Sequence, residues 1–228
     1  LCMFVPQQLA PQVRLSFLLV AVASRPFALV STVDEVCNTH LSPFSCFNIF
    51  SSNRPVVIFS AARRVRNNTT KDTLHNAMQQ KEVVINVVNY AITQQVNLSS
   101  AEYSSDVDEF VKSGLTPIDS DLVAPRRVKE SPVSLECEGR DVLHMGEEGG
   151  AGNLVMCVVK KMHSADDVLS ENGGIDQDAI DLVGRLGKAW WVRASGDALF
   201  ELAPPKLGIG VDQIPDVIRR STRWTGKN

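Results

Sequence analysis

The sequence of residues 42–48 is Ser42-Pro43-Phe44-Ser45-Cys46-Phe47-Asn48, and it lies between two apolar segments. Residues 27–33 before it and residues 55–60 after it are rich in β-branched and apolar side chains, a composition typical of buried strands. A polar, basic stretch, residues 61–73, follows and leads into a predicted helix. This order of elements is suited to a flat aromatic ligand that carries a phosphate group.

The rest of the chain contains more strand patterns than helix patterns. We predict strands at 27–33, 39–50, 55–60, 82–88, 132–137, 141–145, 153–162 and 199–202. We predict helices at about 12–21, 70–80, 90–98, 106–113 and 176–183. Because the strands do not alternate regularly with helices, a doubly wound sheet is disfavoured. The sequence predicts a mainly β fold with α insertions, most simply a β-barrel.

Two local features of these elements can be specified further. The first hairpin turn, residues 34–38, has no glycine, so a left-handed position is expected at Asn38 or Asp34, which tolerate it well. The helix that starts near Thr70 is expected to be capped by Thr69 or Thr70. Gly114 is expected to end the helix at 106–113.

Composition limits the class of protein. The chain has 228 residues, of which 44% are hydrophobic, enough for a substantial core. Its formal net charge of -3 gives no overall positive potential that would attract nucleic acid or an anionic membrane, so neither is expected as a partner. The five cysteines are scattered and form no C-x-x-C pair, which argues against a disulfide framework and a zinc site. This usage favours a reducing compartment, and we predict a cytoplasmic protein.

An apolar run at residues 15–23 follows Arg14 and imitates a short signal peptide. It is too short to span a bilayer and continues directly into the first predicted strand. We therefore interpret it as an amphipathic helix that leads into that strand. From residue 204 onward the chain contains Pro and Gly and is interpreted as a C-terminal tail or arm, residues 204–228.

A cluster of cations lies where the helix at 70–80 begins. Free N–H groups at a helix N-terminus favour an anion, and the hydroxyls of Thr70 and Thr73 add donors. The alternative is a solvated basic loop, and spacing alone leaves both interpretations open. The four cations, which fall within nine residues, are Arg63, Arg64, Arg66 and Lys71.

The segment Ser45–Asn48 is a second candidate site. In an extended segment alternate residues point to opposite faces, so its backbone amides and Asn48 are able to meet the polar edge of a ring. The alternative is an ordinary strand of mixed polarity, which composition alone favours. Neither interpretation is excluded by the residues themselves.

Other chemistry-bearing motifs are sparse. The four histidines show no H-E-x-x-H or H-x-H spacing, so no metal site is expected. His163 ends a strand pattern, where it is either a pocket residue or a strand-end residue. Trp190 and Trp191 follow Arg185 closely and form either a stacking wall or part of a core or dimer interface. The chain contains no G-x-S-x-G, P-loop or G-x-G-x-x-G motif.

Taken in order, several segments resemble the flavin reductase-like, FMN-binding split-barrel family. The main ones are Ser24–Asp34, Leu41–Asn48, and Lys71-Asp72-Thr73-Leu74-His75-Asn76. Further matches include Asn97–Tyr103 and Gly184-Arg185-Leu186-Gly187, and the likeness covers about residues 5–203. The resemblance implies one domain, residues 1–203, with a Greek-key split β-barrel that forms a homodimer and holds FMN near the subunit interface.

The resemblance also implies an activity. It implies an FMN-binding, NAD(P)H-dependent flavin reductase-like oxidoreductase, in which hydride passes from NAD(P)H to N5 of FMN and electrons continue to an unknown acceptor. The alternative is a flavoredoxin-type electron-transfer protein that serves a redox partner protein without using NAD(P)H directly. A third possibility is a flavin-binding or storage module.

Site residues follow from the resemblance by position. It places Thr32 near the flavin ring and assigns His163 and Arg185 as catalytic candidates, with Trp190 in the substrate pocket. The chain departs from the usual family pattern at Cys37, where glycine is common, at His40, where asparagine is common, and at Cys46 and Lys188. The residues implied to line the ring are Ser45, Cys46, Phe47 and Asn48, and those implied around the phosphate are Arg64, Lys71, Asp72 and Thr73.

Overall fold

The computed structural model describes Met3, Val5 and residues 8–202, and β-strands dominate this part of the chain. The strands are β1 (Arg25–Pro26), β2 (Ala28–Val33), β3 (Thr39–Phe44), β4 (Phe47–Ser51), β5 (Val56–Ser60), β6 (Glu82–Val87), β7 (Pro117–Ile118), β8 (Arg127–Val128), β9 (Val133–His144), β10 (Asn153–Ser164), β11 (Leu182–Arg185) and β12 (Trp191–Ala194). The α-helices are α1 (Pro11–Ala21), α2 (Asp72–Gln80), α3 (Thr93–Leu98) and α4 (Glu109–Ser113). Short 3-10 turns cover Tyr90–Ile92, Asp166–Val168 and Gly196–Ala198. The predicted mainly β fold is confirmed.

Seven strands form one antiparallel sheet in the order β3-β2-β6-β9-β10-β5-β4. Although β3 and β4 lie at opposite edges of this sheet, Ser45 and Cys46 alone connect them. So short a connection requires the sheet to curl until its two edges approach, because the three steps from Phe44 to Phe47 span at most about 10 Å. The result is a half-barrel. Separate smaller sheets contain β1-β11-β12 and β7-β8.

Successive side chains of β2 point to opposite faces of the sheet and contribute to two separate apolar clusters of the core. Every residue of β2 is buried, because its two faces meet different apolar clusters. Ala28 and Val30 belong to the cluster that also contains Phe59 and Leu74 of α2. Leu29 faces the other cluster, with Phe110 of α4. The sheet therefore carries α2 on one side of β2 and α4 on the other.

The strand predictions were wrong at three places. The predicted strand 39–50 is two strands, because the chain leaves β2 and joins β5 at Ser45–Cys46; the amide of Ser60 donates to the Cys46 carbonyl. The predicted strands 132–137 and 141–145 are one strand, β9, whose pairing with β10 continues through Gly139 with a register shift. No strand covers 199–202, and β12 is the last strand in the described residues.

The helix predictions also need correction. Residues 176–183 form turns and the start of β11, because the Asp176 carboxylate accepts from the amides of Asp178 and Ala179, and Asp181 takes a left-handed φ of 51°. The predicted helix 106–113 begins later, at Glu109, where the side chain of Asp108 caps it by accepting from the Phe110 amide. Gly114 ends that helix in a left-handed conformation, as predicted.

Local turn chemistry differs from the expectation as well. Cys37, with φ of 66°, is the left-handed residue of the first hairpin, and Asp34 instead accepts bonds from the amides of Val36 and Asn38. Lys71 occupies the N-cap of α2 and makes no side-chain cap, so the predicted capping by Thr69 or Thr70 was wrong.

In the described residues, no helix is long and apolar enough to cross a membrane. The predicted tail, residues 204–228, lies outside the described residues.

Candidate functional site

The site begins with the ammonium group of Lys71 at the start of α2. Its Nζ donates to Ser42 Oγ at 2.6 Å and lies 5.1 Å from the centre of the Phe44 ring. Both partners belong to β3, where period-2 alternation brings them to the same face. Burial, with a smaller contribution from the charge of Arg64, lowers the pKa of Lys71 to about 8, and the carboxylates of Glu109 and Glu102 oppose this decrease.

The other cations of the predicted cluster have their own partners. Arg64 donates from Nη1 to Thr69 Oγ1 at 2.9 Å and to the Thr70 carbonyl at 2.6 Å, and its Nε lies 3.6 Å from Glu102. Arg66 also pairs with Glu102, and Arg63 binds Asn68. These bonds shape the loop. Within the described part of the chain, neither Arg63 nor Lys71 forms a salt bridge, but Arg63 is held by Asn68 in the loop, whereas Lys71 at the start of α2 binds the Ser42 hydroxyl and is the better placed cation for an external anion.

The N-terminus of α2 adds backbone donors beside Lys71. This helix has nine residues and no side-chain cap, and its Leu74 amide already bonds to the Lys71 carbonyl. The amides of Asp72 and Thr73 therefore lack an intrahelical acceptor, as at every helix start. A half-buried ammonium group and free amides at one helix end form a site suited to a phosphate.

Thr32 of β2 holds helix α2 in place through a side-chain hydrogen bond. Asn76 of α2 donates from Nδ2 to Thr32 Oγ1 at 3.2 Å, and both side chains are buried. Thr73 is also buried, whereas Asp72 is exposed. The first two turns of α2 are thus fixed on β2, which holds the helix start in place.

The segment Ser45–Asn48 starts directly after Phe44, the residue whose ring lies under Lys71. Ser45 and Cys46 form the connection between β3 and β4, and Phe47 packs against the core. Asn48 is exposed and its Oδ1 accepts from the Ile49 amide at 2.8 Å. The predicted ring-lining segment and the predicted phosphate-binding residues therefore meet at Phe44.

His163 lies in a different environment, against a buried carboxylate. Its Nε2 is 2.5 Å from Oε1 of Glu136, a fully buried residue that also accepts from the amides of Asp121 and Leu122. Burial opposes ionisation of Glu136, but these three bonds outweigh it and hold its pKa below the usual value. Ligand atoms of Asp121, Glu136 and His163 lie within 4.8 Å of one another, a grouping that the sequence spacing did not show. Lys161 already binds Asp121.

Arg185 and the tryptophans lie on the β11–β12 hairpin. The Arg185 guanidinium is 5.4 Å from the centre of the Trp191 ring and donates to the Lys188 carbonyl at 2.6 Å. Trp191 stacks on Phe27 with ring centres 4.3 Å apart, whereas Trp190 is 71% exposed. A cavity of about 380 Å³ is bounded by Arg185, Trp191 and Tyr90. Trp191, not Trp190, lines this cavity.

Sequence reasoning missed a group of ionisable residues next to Ser42. His40 is 3% exposed and lies 3.8 Å from Asp34 and 3.9 Å from Glu109. Glu109 also accepts from the Leu41 amide, and burial raises its pKa. Because Glu109 is far from His40 in sequence, no local pattern indicates this contact; His40 was noted only as a departure from the family.

Comparison with known proteins identifies the family to which the fold belongs. Residues 21–178 match the flavin reductase like domain. An uncharacterized protein of Aquifex aeolicus is 31% identical over 176 residues, which cover 77% of this chain and 87% of that protein. The uncharacterized protein BH2278 of Halalkalibacterium halodurans is 32% identical over 183 residues, covering 79% and 87%.

Two solved structures share the fold. Nitrilotriacetate monooxygenase component B from Bacillus cereus superposes with a TM-score of 0.82 at 24% identity, covering 89% of this chain and 98% of its own. A protein from Shewanella frigidimarina, named as a flavin reductase with a split barrel domain, gives 0.74 at 27% identity, covering 88% and 96%.

Fold and comparisons together define a split-barrel protein of the flavin reductase type. The chain belongs to the flavin reductase-like family, as the resemblance predicted. Membership supports a flavin-related oxidoreductase function.

Proposed function

We propose that this chain binds FMN and is an NAD(P)H-dependent oxidoreductase of the flavin reductase type. The observation that carries the proposal is the placement of Lys71, the N-cap residue of the uncapped helix α2, whose ammonium group has Ser42 as its one hydrogen-bond partner among the described residues. A phosphate there would receive a charge-assisted bond and backbone N–H bonds together.

The chain's other residues fit the same ligand. The Phe44 ring lies under the Lys71 ammonium, and Ser45–Asn48 continue from it along the rim of the half-barrel. A phosphate at Lys71 would therefore leave the flavin ring within reach of this segment. Arg64 contributes positive charge near Lys71 while its own donors hold the loop.

FMN would be held by Lys71 and the amides at the start of α2 through its phosphate, and it would supply the hydride and electron chemistry of an NAD(P)H-dependent oxidoreductase that serves a separate acceptor. The protein's part is to bind, orient and shield the ligand. The site residues that the resemblance implies include no nucleophile–base pair, which agrees with a reaction carried by the cofactor. The proposal includes a homodimer, as the family resemblance implies.

The test is a visible absorption spectrum of the purified protein, recorded before and after anaerobic addition of NADH or NADPH. Flavin bands near roughly 370 and 450 nm that bleach with one nucleotide would support the reductase and identify the donor. Flavin bands that persist with both nucleotides would favour the flavoredoxin-type electron carrier instead. A colourless protein that takes up no added FMN would overturn the proposal.

A further inference from the structure

The cavity of about 380 Å³ lies between α3 and the β11–β12 hairpin. Arg185, Trp191 and Arg193 line it from the hairpin. Tyr90 lines it from the 3-10 turn before α3, and Gln94 from α3 itself. No aspartate or glutamate is among the described residues that form its walls. The lining therefore combines two cations and two aromatic rings without an acidic side chain.

This cavity is separated from Lys71 by the main sheet. Val183 and Trp191, which line it, belong to the apolar cluster that contains Leu29 of β2. Leu74 of α2 belongs to the other cluster, on the opposite face of β2. A ligand in this cavity would therefore be a different molecule from a phosphate bound at the start of α2.

The two arginines of the cavity differ in their partners. Arg193 donates to both carboxylate oxygens of Asp181, at 2.6 and 2.8 Å, so its charge is balanced. Arg185 donates from Nη2 to the Lys188 carbonyl at 2.6 Å, and within the described residues it forms no salt bridge. A guanidinium group has five N–H donors, so Arg185 retains donors for a ligand.

A second arginine next to Arg185 adds positive charge that no carboxylate balances. Arg25 and Arg185 are directly opposite each other in the β1–β11 pair, so their side chains share one face. Arg25 is 8% exposed; its Nη atoms donate to the carbonyls of Leu19, Val22 and Leu186, and its buried Nε has no partner among the described residues. Burial, and then the charge of Arg25, lower the pKa of Arg185. Because buried charges are normally paired, these two guanidinium groups favour an anion beside Arg185.

The aromatic and apolar walls indicate what else the anion carries. One face of the Trp191 ring stacks on Phe27, and the Arg185 guanidinium lies over the ring, 5.4 Å from its centre. Since both faces are covered, the indole offers its edge to the cavity. Ring edges carry partial positive charge and pack against the face of another ring. Val183 and Val192 add apolar contacts, so the cavity suits an aromatic ring.

We propose that this cavity binds a small aromatic carboxylate, with the carboxylate on Arg185 and the ring against Trp191 and the two valines. A planar guanidinium is able to form two parallel hydrogen bonds with a carboxylate. Ligand pockets generally measure about 300–1,000 Å³, and a cavity near the lower end of this range fits a one-ring acid and not a dinucleotide. The inference goes beyond the proposed function and does not require bound flavin.

The experiment is isothermal titration calorimetry of the full-length protein with benzoate at constant ionic strength. Benzyl alcohol, which lacks the carboxylate, and acetate, which lacks the ring, are titrated in parallel. Arg185→Gln removes the charge from the cavity, and Arg140→Gln, at an exposed arginine of β9, is the matched control. We expect submillimolar benzoate binding by the wild type and the control. Arg185→Gln should bind benzoate roughly tenfold or more weakly, and the wild type should bind each of the two other probes weaker by the same factor.

A second variant keeps the test decisive if Arg185→Gln loses its fold. Ala189 is an exposed residue at the rim of the cavity, and Ala189→Phe fills the space without removing a side-chain hydrogen bond. It should weaken benzoate binding to a similar extent.

Three results with these probes would overturn the inference: no submillimolar benzoate binding by the wild type, unchanged benzoate binding in Arg185→Gln or Ala189→Phe, or acetate bound as tightly as benzoate. The titration is repeated in saturating FMN. Unchanged benzoate affinity is expected there, whereas competition would place benzoate in the flavin site and contradict the proposal. FMN uptake is measured separately, so a failure of flavin binding is not confused with a failure of this site.

Discussion

The Nζ atom of Lys71 lies 2.6 Å from Oγ of Ser42, and this contact joins the start of α2 to β3. It sets the distance between the two parts of the proposed flavin site. The phosphate-binding end lies at the N-terminus of α2, and the ring-lining end begins at Ser45, three residues after Ser42. The predictions about the ligand therefore centre on this pair.

Removing the hydroxyl of Ser42 should weaken FMN binding without removing the charge. In Ser42→Ala the ammonium group of Lys71 loses its oriented acceptor, and we expect a loss of about 1 kcal/mol, or roughly fivefold in affinity. Flavin fluorescence quenching measures this. Ser51→Ala, which removes an exposed hydroxyl bonded to the Asn53 carbonyl, is the matched control and should bind as wild type. Equal losses in both variants would contradict the role of Ser42.

FMN affinity should fall as the pH rises through about 8. The pKa of Lys71 is lowered to about 8 in the ligand-free protein, mainly by burial, so above that pH the phosphate must bind together with a proton. The decline should approach tenfold per pH unit until the pKa of the complex is reached. Lys71→Arg, which stays protonated, should show a flat profile from pH 7.5 to 9.5. If the FMN affinity of Lys71→Arg fell by the same factor over this pH range, the pH dependence would belong to a different titratable group.

The lowered pKa of Lys71 also affects the stability of the ligand-free protein. Because the folded pKa of Lys71 lies below its unfolded value of 10.5, the unfolded chain binds the extra proton between about pH 8 and 10.5. The contribution of Lys71 therefore becomes more favourable to folding as the pH rises through that range. Urea unfolding of wild type and Lys71→Met at pH 7.5 and 9.5 measures the difference. Lys71→Met should remove this pH dependence, and a variant that keeps it would contradict the assignment.

Cys37→Gly should stabilise the protein. Cys37 has φ of 66°, a conformation that costs residues with a Cβ roughly 1–2 kcal/mol, part of which the greater entropy of unfolded glycine offsets. We expect a net gain of about 0.5 kcal/mol in the free energy of unfolding, measured in urea. Val36→Gly changes the neighbouring residue, which is not left-handed, and should lose stability. A loss in both variants would show that the turn is not strained at Cys37.

Gly187→Ala should disturb the attachment of α1. Its Cβ would overlap Val20, and overpacking of this kind costs about 1–3 kcal/mol. The double variant Gly187→Ala/Val20→Ala removes the obstructing methyl groups and should recover most of the loss. Thermal unfolding of the two variants and of Val20→Ala alone gives the coupling energy. Strict additivity would mean that the two residues are not in contact.

The sequence was a good guide wherever a local pattern determined the structure. The apolar segments became β2 and β5, and Gly114 ended α4 because its left-handed conformation suits glycine. The basic cluster next to a helix start also brought Lys71 to a suitable place. These features depend on neighbours in sequence, which is why composition and periodicity were enough.

The remaining differences depend on contacts between distant residues. Residues 39–50 look like one strand, but the pairing of β4 with β5 at the far edge of the sheet divides them. Residues 176–183 have a helical composition, yet the bonds of Asp176 and the left-handed Asp181 stop a helix. The proximity of His163 to Glu136 likewise arises from the β9–β10 register, which no spacing rule contains.

The most direct test compares FMN with riboflavin, which lacks the phosphate, in wild-type protein and in Lys71→Met. If the ammonium group of Lys71 binds the phosphate, wild type should prefer FMN, and Lys71→Met should lose roughly tenfold to a hundredfold in FMN affinity while binding riboflavin as before. Equal affinities of wild type for the two flavins, or an equal loss for both in Lys71→Met, would contradict the phosphate site.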